Sequence, residues 1–146
     1  VIQICILGNY LKTPEPNPEL DLKLKELKDK YGDFRTLTDS TKKIVRKEYN
    51  DIQRTYEKPA TVKDVVDHID HVVQVLGIDY VGIGTDFDGG GGVDGCRTAS
   101  EMKNITIELL RRGYSKSDIT KIWGGNAMRV LRKVEEIAKN SSLSKT

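Results

Sequence analysis

The 146 residues carry 24 Lys and Arg against 22 Asp and Glu, a formal net charge of +2, with 37% hydrophobic and 32% charged side chains, two His and two Cys. That length fits one domain, the near-neutral balance gives no electrostatic reason for a nucleic-acid partner, and no stretch approaches the roughly 18 apolar residues of a membrane span. Two His and two Cys also exclude a zinc site of four Cys or of several His built from this chain alone.

In chain order, Val1–Leu7 reads as a strand buried on both faces, because it barely alternates. The chain starts in mid-pattern on this run, which predicts further sequence upstream. Pro14, Pro16 and Pro18 forbid regular structure until about Asn17. A charged helix is expected from Pro18 to Lys30, with Leu20, Leu24 and Leu27 at helical spacing. A second is expected from Asp39 to Tyr56, with Ile44, Val45, Tyr49, Ile52 and Tyr56 as its stripe. The clearest pattern is Val62, Val65, Val66, Ile69, Val72, Val73 and Leu76, a narrow apolar arc. Thr61 with Asp64 resembles a capping box, and Gly77 a helix stop. Ile78–Gly84 is a second buried strand, feeding a glycine-rich loop from Thr85 to Arg97. Thr98 and Glu101 cap a helix to Arg112. A short helix runs from Ser115 to Trp123, and Asn126 caps a last one with Ala127, Val130, Leu131, Val134, Ile137 and Ala138 on one face. Residues 140–146 are expected as a flexible tail.

Two buried strands joined through a helix imply a parallel βαβ unit. Two strands cannot make a parallel sheet covered on both faces, so the chain reads as the end of a larger α/β protein. Ligands bind at the carboxyl ends of such strands, where Asp86 sits. Its carboxylate can accept a proton, hold an ammonium group or bind a metal; equally, it could simply cap the loop. The loop is no calcium site, because Gly90 and Arg97 stand where an EF-hand needs its fifth and twelfth ligands. Phe87 denies it a dinucleotide fingerprint, and no Lys-Ser or Lys-Thr follows the glycines as in a P-loop.

Asp67-His68-Ile69-Asp70-His71 holds both histidines and imitates a metal cluster. Ile69 lies at the centre of the apolar stripe, so His68 flanks the stripe and His71 points nearly opposite, with Asp67 and Asp70 on different sides. A helix presents metal ligands from one face, so a structural role is expected here. Lys42, Lys43, Arg46 and Lys47 alternate with Glu48 and Asp51, the pattern of a solvated helix face.

Asp67–His71, Gly84-Thr85-Asp86-Phe87-Asp88-Gly89, Glu108–Tyr114 and Gly125-Asn126-Ala127-Met128-Arg129-Val130-Leu131, in this order, resemble the renal (membrane) dipeptidase family of zinc metallopeptidases. The resemblance implies a (β/α)8 TIM-like barrel of the α/β class. Residues 1–146 would be the C-terminal part of its single metallo-dependent hydrolase domain, with strands seven and eight and a helical insertion over 13–59. It implies hydrolysis of dipeptides with two zinc ions. The family's ligands, a His-x-Asp pair, a bridging Glu and two later His, all lie upstream of the matched strands, so this chain alone should bind no catalytic zinc. The one functional residue that carries over is Asp86, catalytic and substrate-binding, beside the attacking water and the free amino group. No role carries over to Asp88, His68 or His71. Cys5 replaces a residue that is polar in the family. The resemblance further implies an exported parent, periplasmic or membrane-anchored, a dipeptide substrate, a missing N-terminal barrel segment as partner and a possible homo-oligomer. The competing expectation is a non-catalytic binding module derived from the same barrel.

Overall fold

The hydrophobic run that opens the chain forms strand only over Ile2–Cys5 (β1), and it pairs in parallel with Val81–Gly84 (β2), Ile4 opposite Ile83 and Cys5 opposite Gly84. The computed structural model describes residues 1–56 and 58–143. Between and after the strands lie α1 (Gly8–Leu11), α2 (Pro18–Tyr31), α3 (Asp39–Tyr56), α4 (Val62–Leu76), α5 (Lys103–Arg111), α6 (Lys116–Thr120) and α7 (Asn126–Leu143). The fold is thus mostly helical around a small parallel sheet. It divides into two compact units, Val1–Thr13 with Pro59–Thr146, and Pro14–Lys58.

In the larger unit the core lies on one face of the sheet. Ile4 and Ile6, Val81, the α4 residues Val65, Val66 and Ile69, and the α5 residues Ile105 and Leu109 all pack together. Regular 3.6-residue spacing puts the α4 apolar arc there, and Asp64 closes its first turn by accepting from the Thr61 backbone N–H at 2.6 Å and hydroxyl at 2.7 Å. The other sheet face is open in these residues, with Gln3 exposed and Cys5 half-buried. The expectation of a strand buried on both faces is corrected accordingly: helices cover one side of a two-stranded sheet and nothing here covers the other.

Two more boundaries differ from the sequence reading. Ile78–Tyr80 forms a tight helical turn before β2, held by Asn126, which is 1% exposed and donates Nδ2 to the carbonyls of Ile78 at 2.7 Å and Val81 at 2.9 Å. Helix α7 extends to Leu143, so residues 140–143 of the expected tail are helical, while 144–146 lie outside the described residues. The apolar face of α7 is exposed over most of its length, from Val130 at 41% to Val134 at 57%. The periodicity was correct, but no element among the described residues lies over it.

In the smaller unit α2 packs on α3. Asn17 caps α2 by accepting from Leu20 N–H at 3.1 Å and ties down the end of α3 by donating to the Tyr56 carbonyl at 2.6 Å. Glu48 on α3 receives Lys30 Nζ at 3.0 Å and the Tyr31 hydroxyl at 2.8 Å from α2, and these donors hold its carboxyl below the usual range, the tyrosine first.

Candidate functional site

Asp86 follows the last residues of β2 by two positions and adopts the left-handed conformation, φ 52° and ψ 31°. No other described residue except glycine has a positive φ. Side chains with a Cβ pay for this region, and such strain concentrates at functional sites. The surrounding backbone enforces it. The Asp86 carbonyl accepts from Gly91 N–H at 2.6 Å and Gly89 N–H at 3.0 Å, wrapping the loop around the residue. A Cβ at Gly89 would run into the Asp86 carboxylate, and one at Gly91 into the carbonyls of Thr85 and Asp86. Glycine is required at position 91, where the contact is with backbone, whereas at Gly89 only the Asp86 side chain would have to move.

The remainder of the loop is anchored to the core. Gly92 N–H donates to the Ile6 carbonyl at 2.6 Å, so β1 exchanges its partner from β2 to the loop at the point where Asp86 turns the chain away. Val93 and Cys96 bond each other's backbone and are fully buried, and Asn104 Nδ2 holds the Gly95 carbonyl at 2.7 Å. The Asp94 N–H and carbonyl pair with Ala60 and Val62 at the entry to α4. Four consecutive glycines thus form a fixed loop, pinned by two small apolar side chains that the sequence reading passed over.

The Asp86 carboxylate itself is exposed, and no hydrogen bond or ion pair engages it among the described residues. It is an acceptor held in a strained pose with its lone pairs free for a ligand. Asp88, two residues on, is also exposed.

The histidine segment lies within α4. His68 Nδ1 lies 2.9 Å from the Asp64 carbonyl on its own helix, and His71 is exposed. Among the described residues no three His, Cys, Asp or Glu side chains converge as a metal site. Asp67 and Asp70, expected on different sides of the helix, instead meet: residues three apart are neighbours on a helix surface. Both accept from Arg112 Nη1 at 2.6 Å. Arg112 Nε also reaches Glu108 at 2.9 Å, and the Tyr114 hydroxyl donates to Asp70 at 2.6 Å. Glu108 is 7% exposed; hydrogen bonds from Arg111 and then Arg112 hold its carboxyl down at about 2. Burial pushes the Tyr114 hydroxyl well up, and its bond to Asp70 adds to this. The cluster clamps α4 to α5.

Cys5 and Cys96 are both free, and burial pushes the Cys96 thiol up, away from the reactive thiolate. The Asn-x-x-Arg segment also proves structural: besides the Asn126 bonds, Arg129 Nη2 donates to the Asp79 carbonyl at 2.6 Å and Lys121 pairs with the Asp79 carboxylate at 2.8 Å. Together they fix the entry to β2, and through it the strand end that carries Asp86.

Comparison with known proteins gives a consistent picture. Dipeptidase tcpJ of Claviceps purpurea is 45% identical over 80 residues, which are 54% of this chain and 19% of that protein. Dipeptidase 3 of Rattus norvegicus is 37% identical over 83 residues, 56% of this chain and 17% of that protein. The crystal structure of the probable dipeptidase PvdM from Pseudomonas aeruginosa superposes with a TM-score of 0.62 at 37% identity, covering 88% of this chain and 36% of that one. The matched segment therefore spans about a fifth of the curated relatives' length. The family model for membrane dipeptidase matches residues 1–145, and by that match the chain belongs to the membrane dipeptidase family, peptidase family M19.

Proposed function

We propose that this chain is the C-terminal portion of a zinc-dependent dipeptidase built as a (β/α)8 barrel, with β1 and β2 as its seventh and eighth strands and residues 13–59 as an insertion. Asp86 is the active-site carboxylate that it supplies. The observation that carries this reading is the strained, unpaired Asp86 at the carboxyl end of a parallel strand, where barrel enzymes place their catalytic groups. The open sheet face beside Gln3 and Cys5 and the bare apolar face of α7 support it, since further strands and helices of a closed barrel would cover both.

The ligands of two zinc ions are assigned to the N-terminal segment of the parent; among the described residues no three His, Cys, Asp or Glu side chains gather, and His68 Nδ1 lies against the Asp64 carbonyl of its own helix. What Asp86 contributes can be stated without the metal. Its carboxylate accepts hydrogen bonds from the free ammonium group of a dipeptide, which selects substrates with an unblocked amino end. It can also take a proton from the attacking water and return it to the leaving nitrogen. The substrate is a dipeptide, the physical partner is the N-terminal barrel segment, and the parent is exported, periplasmic or membrane-anchored. Among the described residues no helix is long and apolar enough to cross a membrane.

The test is an assay of the full-length gene product with zinc. It should hydrolyse a free dipeptide, spare the N-acetylated form, and lose zinc and activity together on chelation; the 146 residues alone should do neither. A folded full-length product with no peptidase activity contradicts the reading and leaves a binding module.

A further inference from the structure

The smaller unit, Pro14–Lys58, holds a cavity of about 900 Å³ that has no part in the reading above. It lies between the second half of α2, the loop after it and the first half of α3. Its apolar lining comes from Leu24, Leu27, Leu37 and Val45, with the rings of Tyr31, Phe34 and Tyr49. That volume falls within the range of small-molecule sites, roughly 300–1,000 Å³, and so does the composition, mainly apolar with a few charged groups.

The charges decide the occupant. Arg35 and Asp33 on the lining are paired with each other at 2.9 Å. Lys28 and Arg46 also line the cavity, and neither makes a salt bridge or side-chain hydrogen bond among the described residues. Arg46 is instead held over the Phe34 ring, its guanidinium carbon 5.6 Å from the centroid, with Lys42 Nζ 5.9 Å from the same ring. The guanidinium thus lies beside an aromatic ring of the lining with its hydrogen-bond donors unspent among the described residues. Asp29 is the one other carboxylate on the lining, so a single positive charge remains uncompensated.

We propose that this cavity binds a linear aliphatic monocarboxylate, with its carboxylate against Arg46 and Lys28 and its chain among Leu24, Leu27, Leu37 and Val45. A monoanion matches the residual charge, and a bidentate fork matches a carboxylate. A neutral chain of equal length would leave the Arg46 guanidinium without an acceptor.

The experiment is calorimetric titration of the full-length protein with octanoate, decanoate and decanol. Decanoate should bind saturably with one site, about tenfold tighter than octanoate because two more methylenes are buried, and at least fivefold tighter than decanol. Arg46→Gln should weaken decanoate at least fivefold and change decanol less than twofold; Arg46 is exposed, so helix content by circular dichroism should be unchanged. Arg46→Lys should recover part of the loss. Three results would overturn the proposal: no saturable decanoate binding, decanol binding as tight as decanoate, or equal affinity in the Arg46→Gln variant.

Discussion

Asp86 combines a left-handed backbone with a carboxylate that no neighbour among the described residues uses. Stability alone would favour another residue there. Glycine at this position removes the cost of a Cβ in the left-handed region, so Asp86→Gly should raise stability by up to about 1 kcal/mol, read as a higher thermal midpoint, while removing any peptidase activity of the full-length protein. A lower midpoint would show that the side chain supports the loop and was retained for structure. The position of this residue was legible in the sequence, because Gly-x-Asp at the end of an apolar run already marks a strand terminus. Its strain was not. That depends on Gly89 and Gly91 folding back onto it, a contact across the loop that no local pattern encodes. The roles of Val93 and Cys96 were hidden for the same reason: two isolated apolar residues in a glycine-rich segment have no period to read.

At the scale of elements, α4 was readable in full, boundaries and caps included, because one sequence carries a 15-residue period with signals at both ends. The strands were overestimated. Four-residue strands end where their hydrogen-bond partners turn away, at Asp86 and at the Asn126 clamp, and those partners are distant in sequence. The α4–α5 clamp also lay outside local reading, since Arg112 reaches Asp67 and Asp70 from more than forty positions away. The clamp has a measurable pH signature. Glu108 is lowered in the folded chain from its ordinary 4.5 to about 2, so its contribution is complete above about pH 4.5 and is lost as pH falls toward 2. Glu108→Gln should therefore lower the thermal midpoint at pH 7 by about 3–6 °C and converge on the parent chain near pH 2. A constant gap across that window would mean that the glutamate acts through packing and not through its charge.

At the scale of the whole molecule, α7 carries the amphipathic pattern that its spacing predicts, with its apolar face exposed. A period says that one face is apolar; it does not say which chain segment covers that face. With Met128, Val130, Leu131, Val134 and Ile137 exposed, the 146 residues alone should self-associate. Replacing Leu131 and Val134 by Glu should keep the helix content and render the chain monomeric by sedimentation; unchanged association would place the contact elsewhere. In the full-length protein the same double substitution should instead destabilise the fold, because the face would be buried there. The family and the parallel strand pair were thus accessible from ordered motifs, whereas the cover of α7 was not, since the sequence pattern of a helix face is the same with or without it.

The central claim is that Asp86 serves chemistry and not the fold, and kinetics of Asp86→Asn in the zinc-loaded full-length protein test it most directly. Asparagine tolerates the left-handed region and keeps the side-chain shape, so the thermal midpoint should stay within about 2 °C while kcat/KM for a free dipeptide falls by about 100-fold or more. A variant with near-normal turnover would place the catalytic carboxylate elsewhere, and one that loses activity only by unfolding would assign Asp86 to the fold.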